Sequence, residues 1–162
     1  HNGELTGIFD RDDVQHLKDQ AIGDTDSELG FLLLLERFAK ADAKDADARF
    51  EVFASFAIEM RDLGSANFLF LDGQHLFLHA DRRRFETEDV VTEPREPGLD
   101  LRSFAEDHRG NAWQATGASI EEICGPFHLF ASVPLDEEGW EGLPRGTCMM
   151  VRDGIILKRT IV

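Results

Sequence analysis

Several short runs in this sequence carry residue types that could do chemistry. They are His1-Asn2-Gly3, the polar run Gly23-Asp24-Thr25-Asp26-Ser27-Glu28, the histidines His75 and His79, the basic run Arg82-Arg83-Arg84, and the cysteines Cys124 and Cys148. Each also has a local reading without catalysis. Asn-Gly favours positive φ and reads as a turn. The polar run caps a helix, with carboxylates that complement the positive end of its dipole. His75 and His79 have ligand spacing on a helix. On a strand they would share a face about 13 Å apart, too far to hold one metal, and they read as ordinary strand residues. The arginine run could grip an anion, but in a chain this acidic it reads as a solvated run. Two cysteines are too few for a disulfide framework and have no metal spacing. Cys148 lies in the apolar run Thr147-Cys148-Met149-Met150-Val151 and reads as a buried small hydrophobe, and Cys124, beside Gly125-Pro126 with no histidine near, as structural. No metal and no cofactor is implied.

The elements that must position these residues are legible in outline. Thr25 followed by Glu28 fits a capping box, in which the threonine oxygen accepts the third helical N–H and the glutamate reaches back. It opens a helix from about Thr25 to Lys40 that is apolar nearly all round and therefore expected between layers. A second helix is expected over Asp47–Leu63, with Phe50, Phe53, Ala54, Ala57 and Met60 on one stripe and Gly64 as a left-handed cap. Asn67–Leu71 and His75–Ala80 flank Asp72-Gly73 as a hairpin, and Thr147–Arg152 and Ile155–Ile161 flank Asp153-Gly154 as another. Phe127–Val133 is a further strand, ended by Pro134. From Arg82 to Gly125 the pattern weakens, with one short helix expected near Leu101–Asp107. Trp113, Phe127, Phe130 and Trp140 read as core and Asp136-Glu137-Glu138 as a solvated loop. Helices followed by strand pairs predict an α+β fold with helices covering antiparallel sheet.

The chain has 162 residues, a size that fits a single domain, 1–162. Its formal net charge of −15 repels phosphate backbones and anionic lipid, so no nucleic acid and no membrane partner is expected. No apolar run approaches a membrane span, and the start shows no basic stretch followed by an apolar one. With so few cysteines, a reducing, cytoplasmic setting is the expectation.

Taken together, the HNG start, the stretch Glu4-Leu5-Thr6-Gly7 and the Thr25-Asp26-Ser27-Glu28 helix opening resemble the class II glutamine amidotransferases, most closely the stand-alone bacterial type. The similarity continues through Asn67-Phe68-Leu69-Phe70-Leu71-Asp72-Gly73. It resumes at Ala131-Ser132-Val133-Pro134-Leu135, Trp140, Leu143-Pro144-Arg145-Gly146 and Asp153-Gly154, leaving out only Arg82–Gly125.

The resemblance implies an N-terminal-nucleophile fold, an αββα four-layer sandwich, here incomplete. It implies an enzyme in which a cysteine thiolate attacks the glutamine carboxamide, ammonia leaves, and water releases glutamate from the thioester. The Asn2 side-chain amide and the Gly3 N–H would stabilise the oxyanion, which needs preorganised donors. Gly3 would also border the substrate, and the Asp26 carboxylate would hold its α-ammonium, the two ends about 5–8 Å apart. Thr25 and Glu28 would hold Asp26 rigid. The family nucleophile, an N-terminal cysteine, and the His-Thr-Arg stretch whose arginine holds the substrate carboxylate both precede HNG in the family. The nucleophile is therefore none of these residues, and the chain is expected to be the C-terminal part of such a domain, inactive by itself. Glutamine is the expected substrate, with a γ-glutamyl amide as the alternative. A non-catalytic binding or assembly module keeping the fold is the other alternative. A homo-oligomer or a missing N-terminal segment is expected to cover exposed strand edges.

Overall fold

The computed structural model describes residues 1–87 and 90–162, so residues 88 and 89 of the weakly patterned Arg82–Gly125 stretch lie outside the description. The chain begins with β1 (Asn2–Leu5), passes through two short 3-10 segments (Ile8–Asp10 and Asp12–Gln20), and enters α1 (Asp26–Lys40) and α2 (Ala46–Leu63). The strands β2 (Gly64–Leu71) and β3 (Leu76–Ala80) follow. After the excursion come β4 (Asp100–Phe104), β5 (Trp113–Ala115), β6 (Ala118–Ile120), β7 (Phe127–Ala131) and β8 (Trp140–Gly142). The hairpin of β9 (Thr147–Arg152) and β10 (Ile155–Ile161) completes the order.

All pairings between these strands are antiparallel. A five-stranded sheet runs in the order β1-β2-β3-β9-β10, and a three-stranded sheet in the order β7-β4-β8. Both helices lie on one face of the large sheet. Leu29, Leu33, Phe53, Phe56 and Met60 pack there against Leu5, Ala66, Phe68, Phe77 and Cys148. Alternation sends the intervening residues Leu78, Ala80 and Met149 through to the opposite face, where they meet Leu101 and Phe130 of the small sheet. The outer face of the small sheet carries Phe104 and packs on Trp113 and Ile123, with the β5–β6 hairpin beside it. Among the described residues this outer layer holds strands and a 3-10 turn, not α-helices.

Both helices and both DG hairpins stand where the sequence places them, with five departures. Asn2 and Gly3 are strand, not turn: β1 pairs with β2 in the register Asn2↔Asn67, Gly3↔Ala66, Glu4↔Ser65, Leu5↔Gly64. Gly64 is not a left-handed cap but the extended first residue of β2, where a Cβ would meet the Glu4 carbonyl oxygen at 1.9 Å. The short helix expected at Leu101–Asp107 is β4 followed by a 3-10 turn, because neighbours β7 and β8 satisfy the backbone on both sides. Helix α1 is one-sided, burying Leu29, Gly30, Leu33 and Leu34 while Phe31 and Leu35 face outward. Asp136 is no solvated loop residue. Its carboxylate accepts from Trp113 Nε1, Trp140 Nε1 and Arg102, pinning the outer face of the small sheet.

Candidate active site

The Thr25 hydroxyl accepts the Glu28 N–H at 3.2 Å, fixing the start of α1. Glu28 does reach back, but further than a capping box, accepting from the Ile22 and Gly23 N–H groups at 2.7 and 2.8 Å. These contacts hold the first turn of α1 and with it Asp26. Asp26 Oδ1 accepts from its neighbour Ser27 N–H at 2.7 Å and hydroxyl at 3.2 Å, while Oδ2 accepts the Leu5 N–H at 2.7 Å. A carboxylate offers about four lone-pair sites, so three donors leave room for one more.

The ladder decides what Gly3 presents. Ala66, opposite Gly3, turns both its backbone groups toward β3: its N–H donates to Asp81 Oδ2 and its carbonyl accepts from His79 Nδ1. In an antiparallel ladder the partner of such a residue points its own N–H and C=O the other way. β1 is an edge strand, so the Gly3 N–H faces out along the open edge, and so does the Leu5 N–H that Asp26 holds. Two residues of strand separate these donors, about 7 Å. A glycine is required at position 3, where φ is +150° and a Cβ would come within 1.8 Å of the Ser65 carbonyl oxygen.

His1 lies toward α1, its ring bridging Ser27 Oγ at 2.9 Å and the Ser65 carbonyl at 3.0 Å and stacking on Phe68. Asn2 and Gly3 line a cavity of about 470 Å³ together with Arg82, Arg83, Arg84 and Ser132. Asn2 also borders a second cavity, shared with Leu99, Phe130 and Val133. The structure thus brings Asn2 and Gly3 to one concavity. Asp26 is absent from its lining and stands around the β1 edge, joined to the same strand through Leu5.

The model of the family described as "Glutamine amidotransferases class-II" matches residues 1–161. The chain belongs to this family. An uncharacterized protein of Methanocaldococcus jannaschii is 28% identical over 155 residues, covering 95% of this chain and 41% of that protein. A predicted glutamine amidotransferase from Pseudomonas aeruginosa has a similar crystal structure, with a TM-score of 0.65, 22% identity, and 85% of this chain and 51% of that one covered. A glutamine aminotransferase class-II domain protein from Silicibacter pomeroyi gives a TM-score of 0.54 and 19% identity, covering 99% and 65%. The chain therefore spans between two fifths and two thirds of the length of these relatives.

Two buried side chains of this family member, Asn67 and Asp81, carry roles that the sequence does not spell out, and the arginine run departs from its solvated reading. Asn67 is buried and spends both its amide N–H groups: Nδ2 donates to the Asn2 carbonyl at 3.0 Å and the Arg82 carbonyl at 2.9 Å, and Oδ1 accepts the Asp81 N–H at 2.7 Å. One side chain thereby ties the start of β1 to the start of the arginine run. The available signal was an amide heading an otherwise apolar strand. Asp81, fully buried, accepts from Arg145 Nε at 2.7 Å as well as from Ala66. The arginine run is not simply solvated: Arg82 and Arg83 are half-buried, and Arg83 and Arg95 place their guanidinium groups 3.8 and 4.0 Å from the Phe85 ring centre.

The cysteines differ in their surroundings. Cys148 is buried between strands, and burial pushes its thiol up to about 12. Cys124 is exposed and lines neither cavity. Among the described residues no group of three or more His, Cys, Asp or Glu side chains could hold a metal ion, and no helix is long and apolar enough to cross a membrane.

Proposed function

We propose that this chain forms the oxyanion and ammonium-binding part of a glutamine amidotransferase site within the N-terminal-nucleophile sandwich. The observation that carries the reading is the shared edge of β1, where the outward Gly3 N–H stands about 7 Å from the donor that Asp26 holds. A glutamine whose side-chain carbonyl lies at Gly3 reaches Asp26 with its α-ammonium. The Asn2 amide, from the neighbouring position on the strand, is the second oxyanion donor.

The chemistry proceeds as follows. A cysteine thiolate adds to the carboxamide carbon, and the developing oxyanion is held by the Gly3 N–H and the Asn2 amide. The C–N bond breaks, ammonia leaves with the proton taken from the thiol, and water hydrolyses the thioester to glutamate. Cys148 is unsuited to the nucleophile's role, since its thiol is buried and remains protonated at neutral pH. Cys124 is exposed and lines neither cavity, so neither cysteine is placed to be the nucleophile and the 162-residue chain by itself is expected to release no glutamate.

The test is steady-state glutamine hydrolysis by the intact protein containing this chain. Asp26→Ala is expected to raise KM strongly, and Asn2→Ala to lower kcat by about 10²–10³. Unchanged kcat/KM in both variants would overturn the reading, as would glutamate release by the isolated chain that Asn2→Ala abolishes.

A further inference from the structure

We propose that His1 is a positioning residue: through the Ser27 hydroxyl it sets how strongly Asp26 holds the α-ammonium of the substrate, tightly when the imidazole is neutral and weakly when it is protonated. The inference rests on the ammonium-binding role of Asp26 proposed above. The hydrogens along one chain of contacts decide it. His1 Nε2 lies 3.0 Å from the Ser65 carbonyl, which can only accept, so Nε2 carries a hydrogen. His1 Nδ1 lies 2.9 Å from Ser27 Oγ, and the same Oγ lies 3.2 Å from Asp26 Oδ1. The Ser27 hydroxyl thus has one hydrogen and two neighbours that can take it.

In the neutral imidazole Nε2 holds the one ring hydrogen, so Nδ1 accepts and the Ser27 O–H donates to it. Asp26 Oδ1 then keeps the Ser27 N–H at 2.7 Å and is otherwise open to the substrate. In the imidazolium both ring nitrogens donate. Nδ1–H makes Ser27 Oγ an acceptor, and the hydroxyl hydrogen swings onto Oδ1. That fills a place on Asp26 and brings a positive charge to within one hydroxyl of the ammonium site. Both changes oppose ammonium binding.

The ring is held for this role by stacking on Phe68, with centroids 4.9 Å apart. The small pocket beside it is lined by uncharged residues of α1, α2 and β2, among them Gly30, Phe31, Phe53 and Phe56. His79 lies on Phe68 as well, where burial holds its pKa below the ordinary value. Glu28 of α1 is turned back onto the Ile22 and Gly23 N–H groups, and Glu4 of β1 lines the cavity that holds Arg82, Arg83 and Arg84. Asp26, reached through Ser27, is therefore the charged group that His1 addresses. Histidine ordinarily changes charge near about pH 6.5, so the device works close to neutrality.

The experiment measures KM and kcat for glutamine in the intact protein containing this chain, from pH 8 to about pH 5.5, a range that brackets the histidine transition. KM is expected to rise by about tenfold as pH falls, the worth of one hydrogen bond to a charged group, with the change seated in KM and not in kcat. Glutaramate, which lacks the α-amino group, is measured as a competitive inhibitor and is expected to show no such weakening. Ser27→Ala is expected to remove most of the rise. His1→Gln, whose amide can donate to Ser65 and accept from Ser27 as the neutral imidazole does, is expected to hold the high-pH KM throughout. A wild-type KM that does not rise, a rise that survives in both variants, or an equal weakening of glutaramate overturns the proposal, while an Asp26→Ala variant with raised KM leaves the underlying reading standing. An Asp26→Ala variant with unchanged KM at every pH overturns both.

Discussion

Asp26 Oδ2 accepts the Leu5 N–H at 2.7 Å, so a single carboxylate closes the start of α1 and the open edge of β1 together. The contact sets the distance between helix and strand, and with it the span between the two ends of the proposed site. Asp26→Ala is expected to destabilise the folded chain by about 1.5–3 kcal/mol, the range for hydrogen bonds to charged groups. Asp26→Asn keeps an acceptor for Leu5 and is expected to recover about half of that. Urea unfolding followed by circular dichroism measures both, and wild-type midpoints in the two variants would show that the contact contributes nothing.

Asn67 joins three backbone groups from two segments. Asn67→Leu preserves approximate volume but strands the Asn2 and Arg82 carbonyls and the Asp81 N–H. A loss of about 3 kcal/mol is expected, since each buried polar group left unpaired costs about 1–3 kcal/mol and some regain water. Hydrogen exchange locates the effect: protection should fall first in β1 and around Asp81, with the α1–α2 contact retained.

The two thiols should separate cleanly. Cys124 is exposed, whereas Cys148 is buried with its thiol pushed up to about 12. A disulfide reagent at pH 8 is expected to modify one thiol per native chain quickly and the second only in denaturant. Cys124→Ser should abolish the fast phase, and a persisting fast phase would place Cys148 within reach of solvent.

Acid should weaken the fold in two windows. His79 Nδ1 must carry the proton it gives the Ala66 carbonyl, and burial holds the ring's pKa below its ordinary value. Its unfolded form takes up a proton from about pH 6.5 downward, so stability present above that pH is lost as pH falls toward the depressed folded value. For Asp72, burial acts to raise the pKa, but the His75 and Gln74 N–H groups and Arg49 outweigh it and hold the carboxyl at about 2. Its contribution is present above about pH 4 and is lost as pH falls from 4 to 2. Unfolding midpoints measured from pH 8 to 2 should show both slopes, the first removed by His79→Leu and the second by Asp72→Asn.

What the sequence determined by itself is what depends on neighbours along the chain. Thr25 and Glu28 mark the start of α1, the Phe50–Phe53–Ala57–Met60 stripe marks the buried face of α2, and Asp-Gly pairs mark the β2–β3 and β9–β10 hairpins. Caps, stripes and two-residue turns are local physics. The family likewise was legible, because its motif residues are short, polar and fixed in spacing. What only the tertiary structure decided depends on pairing across many residues. Asn2-Gly3 reads as a turn until β2 lies beside it, 63 residues on in the pair Gly3↔Ala66, and turns the Gly3 N–H outward. Leu101 and Phe104 stand three apart, as on a helix, until β7 and β8 claim their backbone from both sides and send the two side chains to opposite faces. The arginine run reads as solvent-facing until the fold sets it against Asn2 and Gly3, because charge along a sequence does not reveal which concavity the charges will share.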